Sequence, residues 1–400
     1  MRAGSVWPVD LRLLTESDAQ ASSLMSAHAF GMPAADVSTF TLGPEVRRWG
    51  LFDGDILAAK ANERSYDSVI GGRSVPTAGV AGVAVAPEYR GTGLARQLMT
   101  HLLTTARDRG AVIATLFRTA PALYRSLGFE QVADLVHGSL PTAALRGIRP
   151  LSTTLRRATS ADAATLHQVY RAVASTSSCL LTREGAAFDT DPHADPISRF
   201  DGVTLAQDES GVVGYVCWNR GTGYGTPAVL DVVELLAITG DAYRGLLSAV
   251  AAFDAVTPVV HLRTSGDDPV HWLIGGAGWA VRDVQPYMLR VLDAPAAIAA
   301  RGWPVNASAD VGIELADTVC PWNTGRHRLQ VGGGEARLTP TDNAEIATSL
   351  DVRALAVLVA GGVSMATLRR AGLVAGGDAA TDAQLDAAFA GPRPAILDSF

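Results

Sequence analysis

Four hundred residues exceed one ordinary hydrophobic core, so two or three domains are expected. With 48% apolar and 18% charged residues the chain is globular rather than disordered, and a formal charge of −7 argues against nucleic acid, whose phosphates want a basic face. No uncharged run is long enough for a membrane span, no apolar leader opens the chain, and Cys179, Cys217 and Cys320 lack metal or redox spacing. A reduced, cytoplasmic compartment is therefore expected.

Residues 9–14 alternate like a strand, and Thr15 or Ser17 then caps a helix running towards Ala29. Residues 47–62 read as a hairpin turned at Asp53-Gly54. They contain Lys60, the only lysine, a scarcity that reads as codon bias. Residues 78–86 (AGVAGVAVA) read as a buried strand, 93–109 as a helix ended by Gly110, and 111–117 as another buried strand. A short helix over 120–127, ended by Gly128, leads into a strand over 129–137.

Around 138–152 the chain turns polar and carries Gly and Pro, which marks a candidate boundary, and then the pattern restarts. Residues 154–157 lead into Ser160-Ala161-Asp162 and a helix, much as 10–13 lead into 15–29. Residues 212–218 resemble the hairpin, 229–238 the strand at 78–86, and Gly278-Trp279 stands where Gly128-Phe129 stood. This is a diverged internal repeat of one mixed α/β unit. A strand-rich stretch over 311–338 and helices over 351–359 and 364–371 form a different, third part. The expected domains are thus 1–150, 151–292 and 293–400.

The chemistry concentrates at VAGVAVAPEYRGTGLARQLM, residues 80–99. An apolar strand stops at Pro87, and the loop Arg90-Gly91-Thr92-Gly93 runs directly into a helix starting near Leu94. The two glycines allow positive φ and close backbone approach. Unsatisfied N–H groups at the helix start suit a pyrophosphate, and Arg90 adds a charged contact. The plain alternative is a strand–turn–helix with ordinary glycine punctuation. No Gly-Lys-Ser/Thr follows, which excludes a Walker loop, and the strand–helix spacing is not that of a dinucleotide fingerprint.

The full string Arg90-Gly91-Thr92-Gly93-Leu94-Ala95, preceded by Val83-Ala84-Val85, resembles the signature of the GCN5-related acetyltransferases, the GNAT family. The resemblance implies that acetyl-CoA is the co-substrate. Residues 83–85 would pair with pantetheine, and a backbone N–H near Val85 would act as oxyanion donor. Arg90 to Arg96 would hold the phosphates, with Thr119 a further contact. A tyrosine in the Y-x-x-x-G-F arrangement protonates the departing thiolate in that family, which points to Tyr124. Core packing is the ordinary alternative for this tyrosine. Residues 78–86 contain no Asp, Glu or His, so the usual fourth-strand base is absent.

Over its whole length the chain is similar to the enhanced-intracellular-survival (Eis) type within that family. Such proteins carry an N-terminal GNAT domain, a degenerate second one, and a domain similar to sterol carrier protein. The fold class implied is α/β (α+β), with two mixed-sheet domains and a smaller third. In that type the C-terminal carboxylate serves as base, here that of Phe400. Burial would lift it from the ordinary pKa of roughly 3.3–3.7. The resemblance points to aminoglycosides, polyamines or lysine side chains as acceptors, and to a homo-oligomer with a hexamer among its forms. The rival reading is a non-catalytic acyl-CoA sensor or lipid binder on the same scaffold.

In the second repeat the equivalent strand is followed by Thr239-Gly240-Asp241, without the signature. Asp241 would repel a pyrophosphate, so this half is expected not to bind CoA. No histidine pairs with an acid as in a metal site, and His101 reads as surface. Trp49, Trp218, Trp272 and Trp279 read as core, and 189–201 as a solvated acidic loop without the Gly and Glu of a calcium hand.

Overall fold

The structure is a computed structural model, and it describes residues 9–31, 33, 40, 42–43, 45–185, 188, 197–266, 268–276, 278–342 and 348–399. The acidic stretch 189–196 and the terminal Phe400 lie outside the described residues.

The first half runs β1 (Asp10–Leu13), α1 (Ala19–Phe30), β2 (Val46–Asp53), β3 (Ile56–Ile70), β4 (Arg73–Val85), α2 (Leu94–Asp108), β5 (Ile113–Phe117), α3 (Pro121–Ser126) and β6 (Glu130–Pro141). The second follows as β7 (Thr154–Arg157), α4 (Ala163–Ala174), β8 (Gly202–Asp208), β9 (Gly211–Arg220), β10 (Val229–Ala237), α5 (Gly240–Ala251), β11 (Val259–Thr264), α6 (Val270–Ile274) and β12 (Ala280–Val291). The third has α7 (Ala294–Ala300), β13 (Ala309–Ala316), β14 (Gly325–Gly332), β15 (Glu335–Pro340), β16 (Thr348–Asp351), α8 (Val352–Ala360), α9 (Met365–Arg370), β17 (Val374–Gly376) and α10 (Ala379–Ala388).

The internal repeat is visible in atomic detail. Thr15 and Asp18 form a capping box before α1, and Thr159 and Asp162 repeat it before α4. Arg12 grips Asp18 through two bonds of 2.7 and 3.0 Å, and Arg156 grips Asp162 through two of 2.8 and 2.6 Å. The two halves thus enter their first helices through the same cap and the same ion pair.

The halves share one twelve-stranded sheet in the order β1-β2-β3-β4-β5-β12-β6-β11-β10-β9-β8-β7. Each half gives its last strand to the other: β12 pairs with β5 over Tyr287–Val291, and β6 pairs with β11 over Val136–Pro141. Met288 and Leu292 thereby enter the core of the first half, while Leu140 enters that of the second.

Helix α2 buries Leu94, Leu98, Met99, Leu102, Leu103 and Ala106, a single stripe at helical spacing, against this sheet. In the third part, β13 and β14 alternate strictly between buried and outward residues. Every residue of α8 except Arg353 is buried. Its side chains join Leu135, Tyr287 and Leu289 of the large sheet in one continuous core. The tryptophan expectation needs correcting at one position. Trp49 is buried, but Trp272 on the one-and-a-half-turn α6 is 83% exposed, because that short helix buries only Val270 and Ile274.

Candidate active site

The site begins with a defect in β4. Along β3, Lys60 pairs with Ala84 and Asn62 with Ala81, so Gly82 and Val83 together oppose the single Ala61. Gly82 has φ +59, which a side chain would strain, and a Cβ there would lie 2.8 Å from Asn62 Nδ2. Strands β4 and β5 pair in parallel only from Thr77 to Gly79, after which β4 runs on to Val85 paired with β3 but not with β5. The bulge turns the end of β4 away from β5 and leaves unpaired backbone between them.

The glycine loop closes one end of this opening. Gly91 (φ +79) and Gly93 (φ +90) both adopt the left-handed conformation, and Gly93 is the N-cap of α2. Thr92 Oγ1 donates to Tyr89 O at 2.5 Å, and Tyr89 O–H donates to Asp53 at 2.8 Å, so the turn is tied to the β2–β3 hairpin. Arg90 Nε lies 3.4 Å from the carbonyl of Val85, placing its guanidinium beside the open strand end. Arg96 donates to Ser126 Oγ at 2.5 Å, which fastens α2 to α3.

A cleft of about 460 Å³ results. Val83, Val85, Arg90, Gly91, Gly93, Leu94, Ala95, Arg96, Thr119 and Tyr124 line it, together with Tyr89, Ala120 and Leu123. Two residues of the expected set are absent from this lining. Ala84 turns to the other face of the sheet and packs with Leu14, Met25 and Phe52, and Thr92 spends its hydroxyl on the turn.

Tyr124 is only 3% exposed, with its ring edge-on to Phe129 and its hydroxyl 3.5 Å from Thr119 Oγ1. Burial raises its pKa above the ordinary value, and Thr119 offsets part of that. The phenol stays protonated at neutral pH and can act only as a proton donor there. His101 packs edge-on against Trp49 at 4.7 Å from the ring centre, and burial lowers its pKa.

Two participants were invisible as such in the sequence. Gly82 makes the bulge, and its one signal was a glycine inside an apolar strand. Asn62 Oδ1 is buried beside it with no hydrogen-bond partner.

The second half repeats the opening but not the loop. Strands β10 and β11 pair in parallel only over Val229–Val232, and β10 has its own irregularity between Val232 and Glu234. At the start of α5, Asp241 accepts the backbone N–H groups of Leu151, Ser152 and Thr153 at 2.5, 3.0 and 2.9 Å. Those bonds hold its carboxyl far below the usual range. The linker between the halves therefore lies over the helix start where the first half has its glycine loop.

Residues 10–132 match the family described as acetyltransferase (GNAT) domain, residues 179–291 match a second acetyltransferase (GNAT) domain, and residues 294–397 match the sterol carrier protein domain. Two GNAT folds joined to a sterol-carrier fold, the first with a bulged and splayed fourth strand, make this a tandem GCN5-related N-acetyltransferase. An uncharacterized N-acetyltransferase of Streptomyces avermitilis is 30% identical over 347 residues, covering 82% of this chain and 83% of that protein. N-acetyltransferase Eis of Mycobacterium tuberculosis is 28% identical over 339 residues, covering 80% and 79%. The crystal structure of a GCN5-related N-acetyltransferase from Kribbella flavida superposes with a TM-score of 0.84 at 34% identity, over 99% of this chain and all of that one. The chain belongs to the Eis type of GCN5-related N-acetyltransferases.

Proposed function

We propose that this N-acetyltransferase takes its acetyl group from acetyl-CoA and passes it by direct attack to an acceptor amine. The observation that carries the reading is the opening between β4 and β5, which ends on a left-handed glycine loop at one side and a buried, protonated Tyr124 at the other. Pantetheine would complete the unpaired edge of β4 along Val83, Ala84 and Val85. The pyrophosphate would meet the N–H groups from Gly91 to Arg96 at the start of α2, with Arg90 as counter-charge. Packing against Phe129 would keep Tyr124 in place, with Thr119 beside its hydroxyl.

In the reaction the amine nitrogen attacks the thioester carbon, and a backbone N–H near Val85 stabilises the oxyanion. The C–S bond then breaks, and the departing sulfur takes the Tyr124 proton. The amine proton goes to the α-carboxylate of Phe400. Direct attack is favoured over an acyl-enzyme because all three cysteines are buried. Burial pushes the Cys179 thiol up to about 12 and the Cys320 thiol up to about 11, far from a reactive thiolate.

Aminoglycosides, polyamines and lysine side chains are the acceptor classes to test, and a homo-oligomer is the assembly to test. A reducing compartment suits three unpaired thiols. Among the described residues no helix is long and apolar enough to cross a membrane, and no group of three or more His, Cys, Asp or Glu could hold a metal ion.

The decisive experiment is free-CoA release against a panel of those amines, run on the full chain and on a chain lacking Phe400. Turnover by the full chain and loss of turnover without Phe400, with acetyl-CoA binding retained, is the expected result. Undiminished turnover of the shortened chain would remove the terminal base.

A further inference from the structure

Residues 395–398 are held in place. Ala395 N–H donates to Ser178 O at 2.7 Å, and Arg263 Nη1 on β11 donates to Leu397 O at 3.1 Å. Ile396 and Leu397 are buried. Asp398 accepts from Arg183 Nε at 2.9 Å and from the Tyr170 hydroxyl of α4 at 3.3 Å.

Arg183 is itself held from several sides. Its two terminal nitrogens reach Glu234 at 3.1 and 2.6 Å, and its guanidinium stacks 3.8 Å from the centre of the Tyr170 ring. Glu234 stands just past the irregularity in β10, where β10 has left β11, and takes a further bond from Tyr215 at 2.6 Å. The backbone at Arg183 adopts φ +55, in the left-handed region that a non-glycine residue enters only when its surroundings impose it. The stretch before it, Cys179 to Thr182, is hydrogen-bonded along Asp67 and Val69 of β3 in the first half. Arg183 is thus fixed to the strand that carries Asn62, and it grips the tail from there.

The two halves have used the same opening differently. In the first half, β4 parts from β5 and leaves a cleft beside Tyr124. In the second, β10 parts from β11, a linker covers the helix start through Asp241, and the C-terminal segment lies between α4 and the strands. We propose that this second opening is a docking site for the chain's own C-terminal segment, and that Arg183, Glu234 and Asp398 are positioning residues for acetyl transfer. They would fix the tail at Asp398, two residues before Phe400. The catalytic consequence rests on the reading of the Phe400 carboxylate as base, whereas the docking does not.

The experiment separates the two. Full-length chains with a free C-terminus, wild type, Arg183→Met and Asp398→Asn, are treated with carboxypeptidase A, and loss of Phe400 is followed by mass spectrometry. Cleavage of a briefly opened segment tracks its open population, so release should be at least about tenfold faster in both variants. Their kcat should fall while KM for acetyl-CoA stays at the wild-type value, since the donor cleft is untouched. Asp398→Asn alters only the tail, so it decides the matter if the Arg183 variant fails to fold. Wild-type release rates in a folded Asp398→Asn chain would overturn the docking site. Faster release with unchanged kcat would support the docking site and overturn the terminal base.

Discussion

Replacing Tyr124 by Phe removes one hydroxyl from the wall of the donor cleft. The ring keeps its edge-on contact with Phe129, and among the described residues its oxygen has one hydrogen-bonding neighbour, Thr119 at 3.5 Å, too long for a strong bond. Stability should therefore change by less than about 1 kcal/mol. The cleft keeps its lining, so acetyl-CoA should bind as before. Catalysis should lose the proton for the departing sulfur, and general acids of this kind contribute about 10²–10⁴-fold. That corresponds to about 3–5 kcal/mol of transition-state stabilisation. Initial rates of free-CoA release, with acetyl-CoA affinity measured by calorimetry on the same samples, separate the two effects. Because burial raises the Tyr124 pKa, the wild type should keep its acid through neutral and mildly alkaline pH. A variant that retains more than about half the wild-type kcat would refute the assignment, because the expected loss is at least about a hundredfold.

Arg290, fully buried on β12, meets both oxygens of Asp317 at 2.7 and 2.8 Å, so Asp317→Ala should cost about 3–5 kcal/mol in urea unfolding. An unchanged unfolding midpoint would show that the pair does not join the third part to the sheet. Lys60 donates to Ser22 O, Ser22 Oγ and Ser26 Oγ, yet burial, aided by Arg48, lowers its amine to about 8 from 10.5. Between those values the unfolded chain holds the extra proton, so stability should rise with pH by up to about 3 kcal/mol relative to Lys60→Met, and parallel unfolding curves across that window would contradict it. Gly82→Ala would force a side chain into φ +59 against Asn62; it should cost about 1–2 kcal/mol and raise KM for acetyl-CoA, and a wild-type KM would sever the bulge from donor binding. Because Asp241 holds the linker over α5, calorimetry should find one acetyl-CoA per chain, and a second equivalent would refute the blocked loop.

How legible each feature was depended on how local its cause was. The Arg90–Gly93 loop could be read because positive φ restricts residue choice, and Gly91 and Gly93 do adopt it. The repeat could be read because a strand and the cap of the helix after it lie close together in sequence; the Arg12–Asp18 pair that accompanies the cap emerged only in the structure. The exchange of β6 and β12 left no such mark. β6 roughly alternates, and β12 is exposed over its first five residues and buried over its last five; neither pattern names a partner, so the boundary near residue 150 falls between strands that belong to each other's cores. Trp272 misled because a short helix with two buried residues carries too little periodicity to show which face is in. Asp398 and Arg183 are 215 residues apart, and no local signal could have joined them.

The same distances explain why a degenerate second half would be kept. On the proposed reading the donor cleft would need only the bulge in β4, the glycine loop and Tyr124, all within the first half. Nothing on β4 near the bulge can take a proton. A base delivered from the far end of the chain must be held against fraying, which chain ends do by default. The third part ends on α10, and the tail after it must cross to the large sheet. Its landing place is the face where β10 has parted from β11, beside Arg183, which is anchored on β3. A second half that had kept its own glycine loop open would bind a second CoA. With the linker covering that loop and the strand opening closed around Asp398, the second half would instead hold the tail for the first half's site.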